Sequence, residues 1–238
     1  MSDGHASSRP AIEDILRVGR QTFLGVELLV DRGSLVPREE TEILGRATLS
    51  LLSDLAKTRP PRVIDMCCGS GNLACALAAL VPSATVFAAD LTDEAVALAR
   101  RNVEHLGLSA RVRVAQGDLF AALSAHALEG TIDLVVCNPP YISTQRLAKD
   151  RASLLEHEPR EAFDGGPYGL SIHQRVIKEA PTYLVSGGTL AVEFGLGQDK
   201  QIMRLFDRAG AYAIPSLIAD SAGAPRVCMG VCMGRTKA

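Results

Sequence analysis

Short apolar stretches recur along the chain with helical patterns between most of them: "RVIDM" at 62 to 66, "ATVFAA" at 84 to 89, "RVRVAQG" at 111 to 117, "IDLVVC" at 132 to 137 and "GTLAVEF" at 188 to 194. Runs of this length, rich in valine and isoleucine, read as strands buried on both faces. Strands that alternate with helices form crossover units, and these stack into a mostly parallel sheet with helices on both sides. The alternation therefore predicts an α/β, doubly wound domain. Helices are expected from Ser70, from Thr92, through Tyr183 and from Asp199. The last two apolar stretches, around "AYAIPSLI" and "RVCMGVCM", have no helix between them and predict an antiparallel edge.

Ahead of the first strand, the opening ten residues are small and polar and read as a frayed start, and "AIEDILRVGRQTF" has weak helical periodicity. "LGVELLVDRGSLVP" reads as an extended pair turning at Arg32-Gly33. From Glu39, residues Ile43, Leu44, Ala47, Leu51, Leu52 and Leu55 fall at helical spacing until "RPP" at 59 to 61 stops the helix. The expected organisation is a short extension over 1–57 (helix, β-hairpin, helix) packed on a core domain over 58–238. A chain of 238 residues is long enough for one sizeable core.

A formal net charge of -2 and the lack of a long Lys/Arg run leave no electrostatic footprint for tight, sequence-independent nucleic-acid binding. Arg146, Lys149, Arg151 and Arg160 are interleaved with Asp150, Glu156, Glu158 and Glu161, a solvated mixed-charge pattern. The start lacks a signal peptide's apolar core and no stretch is long and charge-free enough to span a bilayer, so a cytoplasmic location without membrane contact is expected. Cys67, Cys68, Cys75, Cys137, Cys228 and Cys232 form no C-x-x-C pair or Cys/His block, and they read as reduced, buried side chains with no metal site.

"VIDMCCGSGN" runs a strand through Asp65 into a turn with Gly69 and Gly71 and then a helix, which is where open α/β sheets bind ligands. The turn lacks both the full G-x-G-x-x-G spacing and the Lys-Ser/Thr ending of a phosphate loop. Asp90 ends the second strand about twenty residues on, where an acid accepts hydrogen bonds from ribose hydroxyls. It is also positioned as a helix cap, although Thr92 is the better cap. Asp118 and Leu119 end the third strand, suited respectively to an adenine amino group and to covering its ring. A surface turn explains that pair equally well. The three strand ends together favour an adenosine-containing ligand.

"NPPY" at 138 to 141 closes the fourth strand. Asn138 offers an amide oxygen, and Pro139 and Pro140 offer rigid carbonyls with φ fixed. Such a hook takes both hydrogens of a planar amino group, a poor nucleophile whose nitrogen gains electron density when those hydrogens are accepted. Tyr141 is placed to stack on the planar group. A strand-terminating turn with a buried tyrosine is the plain alternative.

In these residues the chain resembles the S-adenosylmethionine-dependent amino methyltransferases, whose D/N/S-P-P-Y/F/W motif binds the methyl-accepting nitrogen. Over about residues 23 to 233 it is most similar to the protein-(glutamine-N5) methyltransferases, the HemK or PrmC family. "LVPREETE" at 35 to 42 matches that family's P-R-x-x-T-E signature, "EPREAFDGGPYGL" at 158 to 170 its E-P-x-x-A-L-x-G-G-x-x-G-L block, and "DSAGAPRV" at 220 to 227 its D-x-x-G-x-x-R-x-V ending.

The resemblance implies a class I methyltransferase, Rossmann-like seven-stranded sheet, mostly parallel with an antiparallel edge strand, and S-adenosyl-L-methionine as cofactor. It implies that Asp65, Cys67, Cys68, Gly69, Ser70, Gly71, Asp90, Leu91, Asp118, Leu119 and Asn138 hold the cofactor, bordered by Pro37, Arg38 and Thr41. It implies that Asn138, Pro139, Pro140 and Tyr141 act on the acceptor, with Glu158 also contacting it.

Cys67 stands where the family's first loop glycine sits. Family members that modify translation release factors carry a separate N-terminal helical domain that docks the protein, and only about twenty-two residues precede the matching region here. The expected acceptor is a glutamine side chain of a peptide chain release factor or another protein. The alternatives are a small molecule, the exocyclic amine of adenine in nucleic acid, or no reaction at all in a binding module. The expected reaction is direct methyl transfer, with orientation supplied by the protein and the proton released to water without a dedicated base.

Overall fold

The computed structural model describes residues 11–150 and 155–234. The opening ten residues and Arg151, about which the sequence raised expectations, lie outside them. Five consecutive parallel-running strands build the centre: β3 (Arg62–Met66), β4 (Thr85–Asp90), β5 (Val112–Gln116), β6 (Ile132–Cys137) and β7 (Leu184–Glu193). The order across the sheet is β5-β4-β3-β6-β7-β9-β8, where β8 is Ser216–Ala219 and β9 is Pro225–Val231. The chain steps outward from β3 to β5, then returns to place β6 on the other side of β3. The carboxyl ends of β3 and β6 thus flank a topological switch point, where open sheets hold ligands. β9 runs against β7 and β8 and sits one strand in from the edge that β8 forms.

Helices α3 (Asn72–Leu80), α4 (Asp93–His105), α6 (Ser171–Glu179) and α7 (Asp199–Ala209) fill the connections, with α5 (Thr144–Asp150) after the hook. All six residues of β6 are buried, as a central strand covered on both faces requires. One core packs Leu73, Leu77, Val86 and Val136 on one face of the sheet, and the other packs Ile64, Phe87, Val135, Ile202 and Phe206 on the opposite face. Among the described residues no helix is long and apolar enough to cross a membrane.

The N-terminal segment forms the expected helix, hairpin and helix, but the hairpin turns at a different place. Helix α1 (Ile12–Val18) ends at Gly19, which adopts φ 72 and closes the helix through its N–H to Ile15. The hairpin that follows is β1 (Arg20–Phe23) with β2 (Val26–Leu29), turning at Leu24-Gly25 and not at Arg32-Gly33. Both turn residues have positive φ, 50 and 83, as a two-residue hairpin loop with matching twist demands. Phe23, Val26 and Leu28 of the hairpin, with Leu44 and Leu52 of α2 (Glu39–Ala56), belong to the same core as the sheet. Asn102 of α4 fastens this layer down: its amide donates to the carbonyls of Leu29 (3.0 Å) and Ser70 (2.9 Å) while its oxygen accepts from the Leu29 N–H (2.7 Å).

Inside the apolar β6, Asp133 is buried yet fully used. It accepts from the Arg62 N–H at 2.8 Å and from both terminal nitrogens of Arg59. Asp133→Ala should lower the unfolding free energy by about 2 kcal/mol, because the Arg62 N–H is left without a partner while the half-exposed Arg59 rehydrates. Urea denaturation with an unchanged m-value would measure it.

Candidate active site

A cleft opens at the carboxyl ends of β3, β4 and β6, and a second pocket adjoins it beyond the hook. Asn138 lines both, so it stands at the doorway between them. Pro140 faces the first, Pro139 and Tyr141 the second.

The first cleft is walled by Met66, Cys67, Cys68 and Gly69 of the loop after β3, by Asp90 and Leu91 after β4, by Asp118 and Leu119 after β5, and by Pro37, Arg38 and Thr41 from the extension. Asp90 braces the loop: Oδ2 accepts from the Gly69 N–H at 2.8 Å and Oδ1 from the Leu91 N–H at 2.8 Å. Burial raises its pKa, and these backbone donors oppose the rise. Cys67 adopts φ 58, a left-handed conformation costing a residue with a Cβ about 1 kcal/mol. The half-buried thiol of Cys67 is therefore held at the cleft by a strained backbone, and the other cysteines are buried and unbonded. Gly71, φ 75, serves packing: a Cβ there would lie 3.1 Å from that of Ala99 on α4.

Three expected cofactor contacts take other places. Asp65, Ser70 and Gly71 do not line the cleft. Asp65 lies beneath the loop, accepts from the Ala74 N–H at 2.9 Å, and is pushed by burial to about 8, so it is mostly protonated at neutral pH. Asp118 does line the cleft, but both its oxygens accept from Arg175, at 2.8 and 2.9 Å. Glu158, expected at the acceptor, lines neither pocket. It is buried, accepts from the Val36 N–H at 2.7 Å and pairs with Arg38, so it holds the 36–38 segment against the cleft.

The "PREETE" stretch is explained by similar ties. The Pro37 carbonyl accepts from Gln21 at 2.9 Å, Glu42 accepts from the Leu24 N–H at 3.0 Å, and the Thr41 hydroxyl accepts from the Asn138 amide at 2.9 Å. With its nitrogen so engaged, Asn138 has its oxygen left for a ligand.

Around the hook, glycines do the packing. A Cβ on Gly165 would sit 2.6 Å from the Pro140 carbonyl oxygen, and one on Gly169 would sit 2.3 Å from that of Tyr141. Gly195 would meet the Tyr141 ring at 3.0 Å. The Gln198 amide donates to the Tyr141 carbonyl at 3.0 Å, and Ile142 exchanges backbone bonds with Phe163 and Gly165. The glycine block is a mould for the hook. Gln198 and Glu193, which line the second pocket together with Arg226 of the closing motif, were not singled out in the sequence. An acid ending an otherwise apolar strand, "LAVE", was the available signal for Glu193.

The first cleft suits a nucleoside without a pyrophosphate. Among the described residues Arg38 is the one basic side chain in its wall and is paired with Glu158, whereas Asp90 and Glu161 give the wall acidic character and Leu91, Leu119 and Ile172 offer apolar surface to a base. A sulfonium cation is matched by such a wall.

Residues 41–167 match the Methyltransferase small domain family. A release factor glutamine methyltransferase of Geobacter sulfurreducens is 38% identical over 193 residues, which are 81% of this chain and 64% of that protein. Another protein of the same name, from Bradyrhizobium diazoefficiens, is 36% identical over 224 residues, 93% of this chain and 73% of that one. The N-terminal domain of human METTL16 in complex with SAH shares the fold, with a TM-score of 0.61 at 17% identity, covering 91% of this chain and 78% of that one.

Fold, cleft and hook together define an S-adenosylmethionine-dependent methyltransferase. Within that class, the chain belongs to the release factor glutamine methyltransferase family.

Gly165→Ala should destabilise by about 1–3 kcal/mol and displace the hook, because the new methyl meets backbone on two sides. Thermal melting combined with turnover at saturating cofactor checks both effects.

Proposed function

We propose that this chain methylates the side-chain amide nitrogen of a glutamine in a protein, of the release factor type. The reading rests on one observation above all. Asn138 lines both pockets, and its bond to Thr41 leaves its oxygen to receive an N–H at the doorway between them.

In this reading Cys67 to Gly69, Asp90, Leu91 and Leu119 hold S-adenosylmethionine, with Pro37, Arg38 and Thr41 closing the cleft from the extension. Bound there, the cofactor supplies an electrophilic methyl group on its sulfonium. Asn138 Oδ1 and the Pro139 carbonyl accept the two hydrogens of the carboxamide, which raises electron density on nitrogen and fixes its direction of attack. Tyr141 covers the planar group, its position set by Gln198 and Gly195. On taking the methyl group the acceptor nitrogen would surrender one proton to water, with no side chain needed as a base. The wall of the second pocket mixes Arg38, Arg146 and Arg226 with Glu40 and Glu193, which favours a neutral acceptor over a polyanion. A division at 57/58 is the domain boundary proposed, with the extension contributing the outer wall of the cleft.

The test is incubation with methyl-labelled S-adenosylmethionine and a purified release factor, followed by peptide mass spectrometry. Label is expected on the glutamine of a Gly-Gly-Gln sequence. Asn138→Ala should cut turnover by on the order of a hundredfold with little change in cofactor affinity by calorimetry. Unchanged turnover in that variant would reject the assignment of the hook.

A further inference from the structure

In the reading above, Asn138 Oδ1 and the Pro139 carbonyl take both hydrogens of the acceptor carboxamide, and its oxygen is left to find a donor. Enclosing an amide oxygen without one is costly. Several donors around the second pocket are already engaged. The Asn138 amide donates to Thr41 at 2.9 Å, the Gln198 amide donates to the Tyr141 carbonyl at 3.0 Å, and Arg38 pairs with Glu158. Arg146 is exposed.

Arg226 differs from these. It lines the second pocket, is 7% exposed, and its Nε has no hydrogen-bond partner among the described residues. A guanidinium has N–H donors and no acceptor, so burying one with an idle donor is unfavourable until a ligand accepts from it.

The sheet brings this donor to the hook. Cys137 of β6 pairs with Val192 of β7, and Glu193, the next residue of β7, pairs with Val227 of β9. Asn138, Glu193 and Arg226 thus follow one another across three adjacent strands at one end of the sheet, and the Phe194 N–H donates to the Arg226 carbonyl at 3.0 Å. Two strand spacings put the backbones of Asn138 and Arg226 about 10 Å apart, and a long arginine side chain spans much of that gap. Burial raises the pKa of Tyr141 and of Glu193, and the charge of Arg226 opposes both rises, as a guanidinium close to the hook would.

We infer that Arg226 donates to the carbonyl oxygen of the methyl acceptor, and so selects a nitrogen that has a carbonyl beside it. With the oxygen held by Arg226 and the nitrogen by Asn138 and Pro139, the carboxamide has one orientation in the pocket. This deepens the amide-nitrogen reading above and rests on it. An alkyl amine has no such oxygen and would enclose Arg226 with its donor still idle, which is how a hydrogen-bonding site rejects a near match. A donor on oxygen draws electron density away from nitrogen, so the contact serves binding and selection and does not speed the transfer. Its loss belongs in KM and not in kcat.

Arg226→Met keeps an apolar stem and removes the donors. With a release factor as acceptor it should raise KM by on the order of tenfold to a hundredfold, with kcat within about threefold and the cofactor Kd within about twofold. Arg226→Lys keeps the charge but not the fork and should fall between the two, so the test survives if the Met variant folds poorly. A binding measurement needs no turnover. In protein saturated with S-adenosylhomocysteine, the Arg226 Nε–H resonance, assigned by its disappearance in Arg226→Lys, should move on titration with butyramide. The Tyr141 ring resonances report occupancy and should move in step. Thiobutyramide, whose sulfur is a weaker acceptor, should move the Nε–H less.

An Nε–H shift with butyramide but no methylation of a release factor would support this role while rejecting that acceptor. Tyr141 resonances that move while the Nε–H stays in place, or a loss of kcat with unchanged KM in both variants, would overturn the inference and leave release factor methylation as a separate result.

Discussion

The hydrogen bond from the Asn138 amide to the Thr41 hydroxyl joins the two halves of the site. Asn138 belongs to the end of the central strand, Thr41 to the helix that lies over it, and neither element alone has a binding site. Everything that fixes α2 also fixes Asn138: the hairpin through Leu24 and Glu42, the 36–38 segment through Glu158, and the shared core through Leu44 and Leu52. The extension therefore forms part of the wall of the first cleft through Pro37, Arg38 and Thr41. A fixed doorway between the two pockets follows, which suits the in-line transfer to a weak nucleophile proposed for this site.

Much of this was legible in the sequence for a physical reason. Strand interiors such as "IDLVVC" are buried on both faces, and their apolar runs reveal them without reference to neighbours. Strand ends at Asp90, Asp118 and Asn138 converge because parallel strands all point the same way, so order along the chain becomes position at one crevice. The hairpin register was not legible, because the Leu24-Gly25 turn carries one glycine between apolar residues and the Arg32-Gly33 dipeptide is the stronger local turn signal.

The roles of individual carboxylates were the least legible. Asp65, Asp118 and Glu158 stand in motif positions, yet burial, Arg175 and the 36–38 backbone respectively claim their oxygens. The partners of Asp118 and Glu158 lie far away in sequence, and no spacing rule encodes them. Glu193 went unremarked for the converse reason: as the last residue of an apolar strand it reads as a strand terminus, and only the arrival of Tyr141 beside it shows that it faces the second pocket.

The glycine mould around the hook also sets the terms on which such an enzyme can diversify. Gly165 and Gly169 have no space for even a methyl group, and one on Gly195 would press on the Tyr141 ring, so a side chain at any of the three disturbs the hook. Tyr168 and Leu196, 84% and 64% exposed at the mouth of the same pocket, are under no such restraint. Room for a differently shaped acceptor therefore lies at the rim of the pocket, and the floor under the hook is sterically closed.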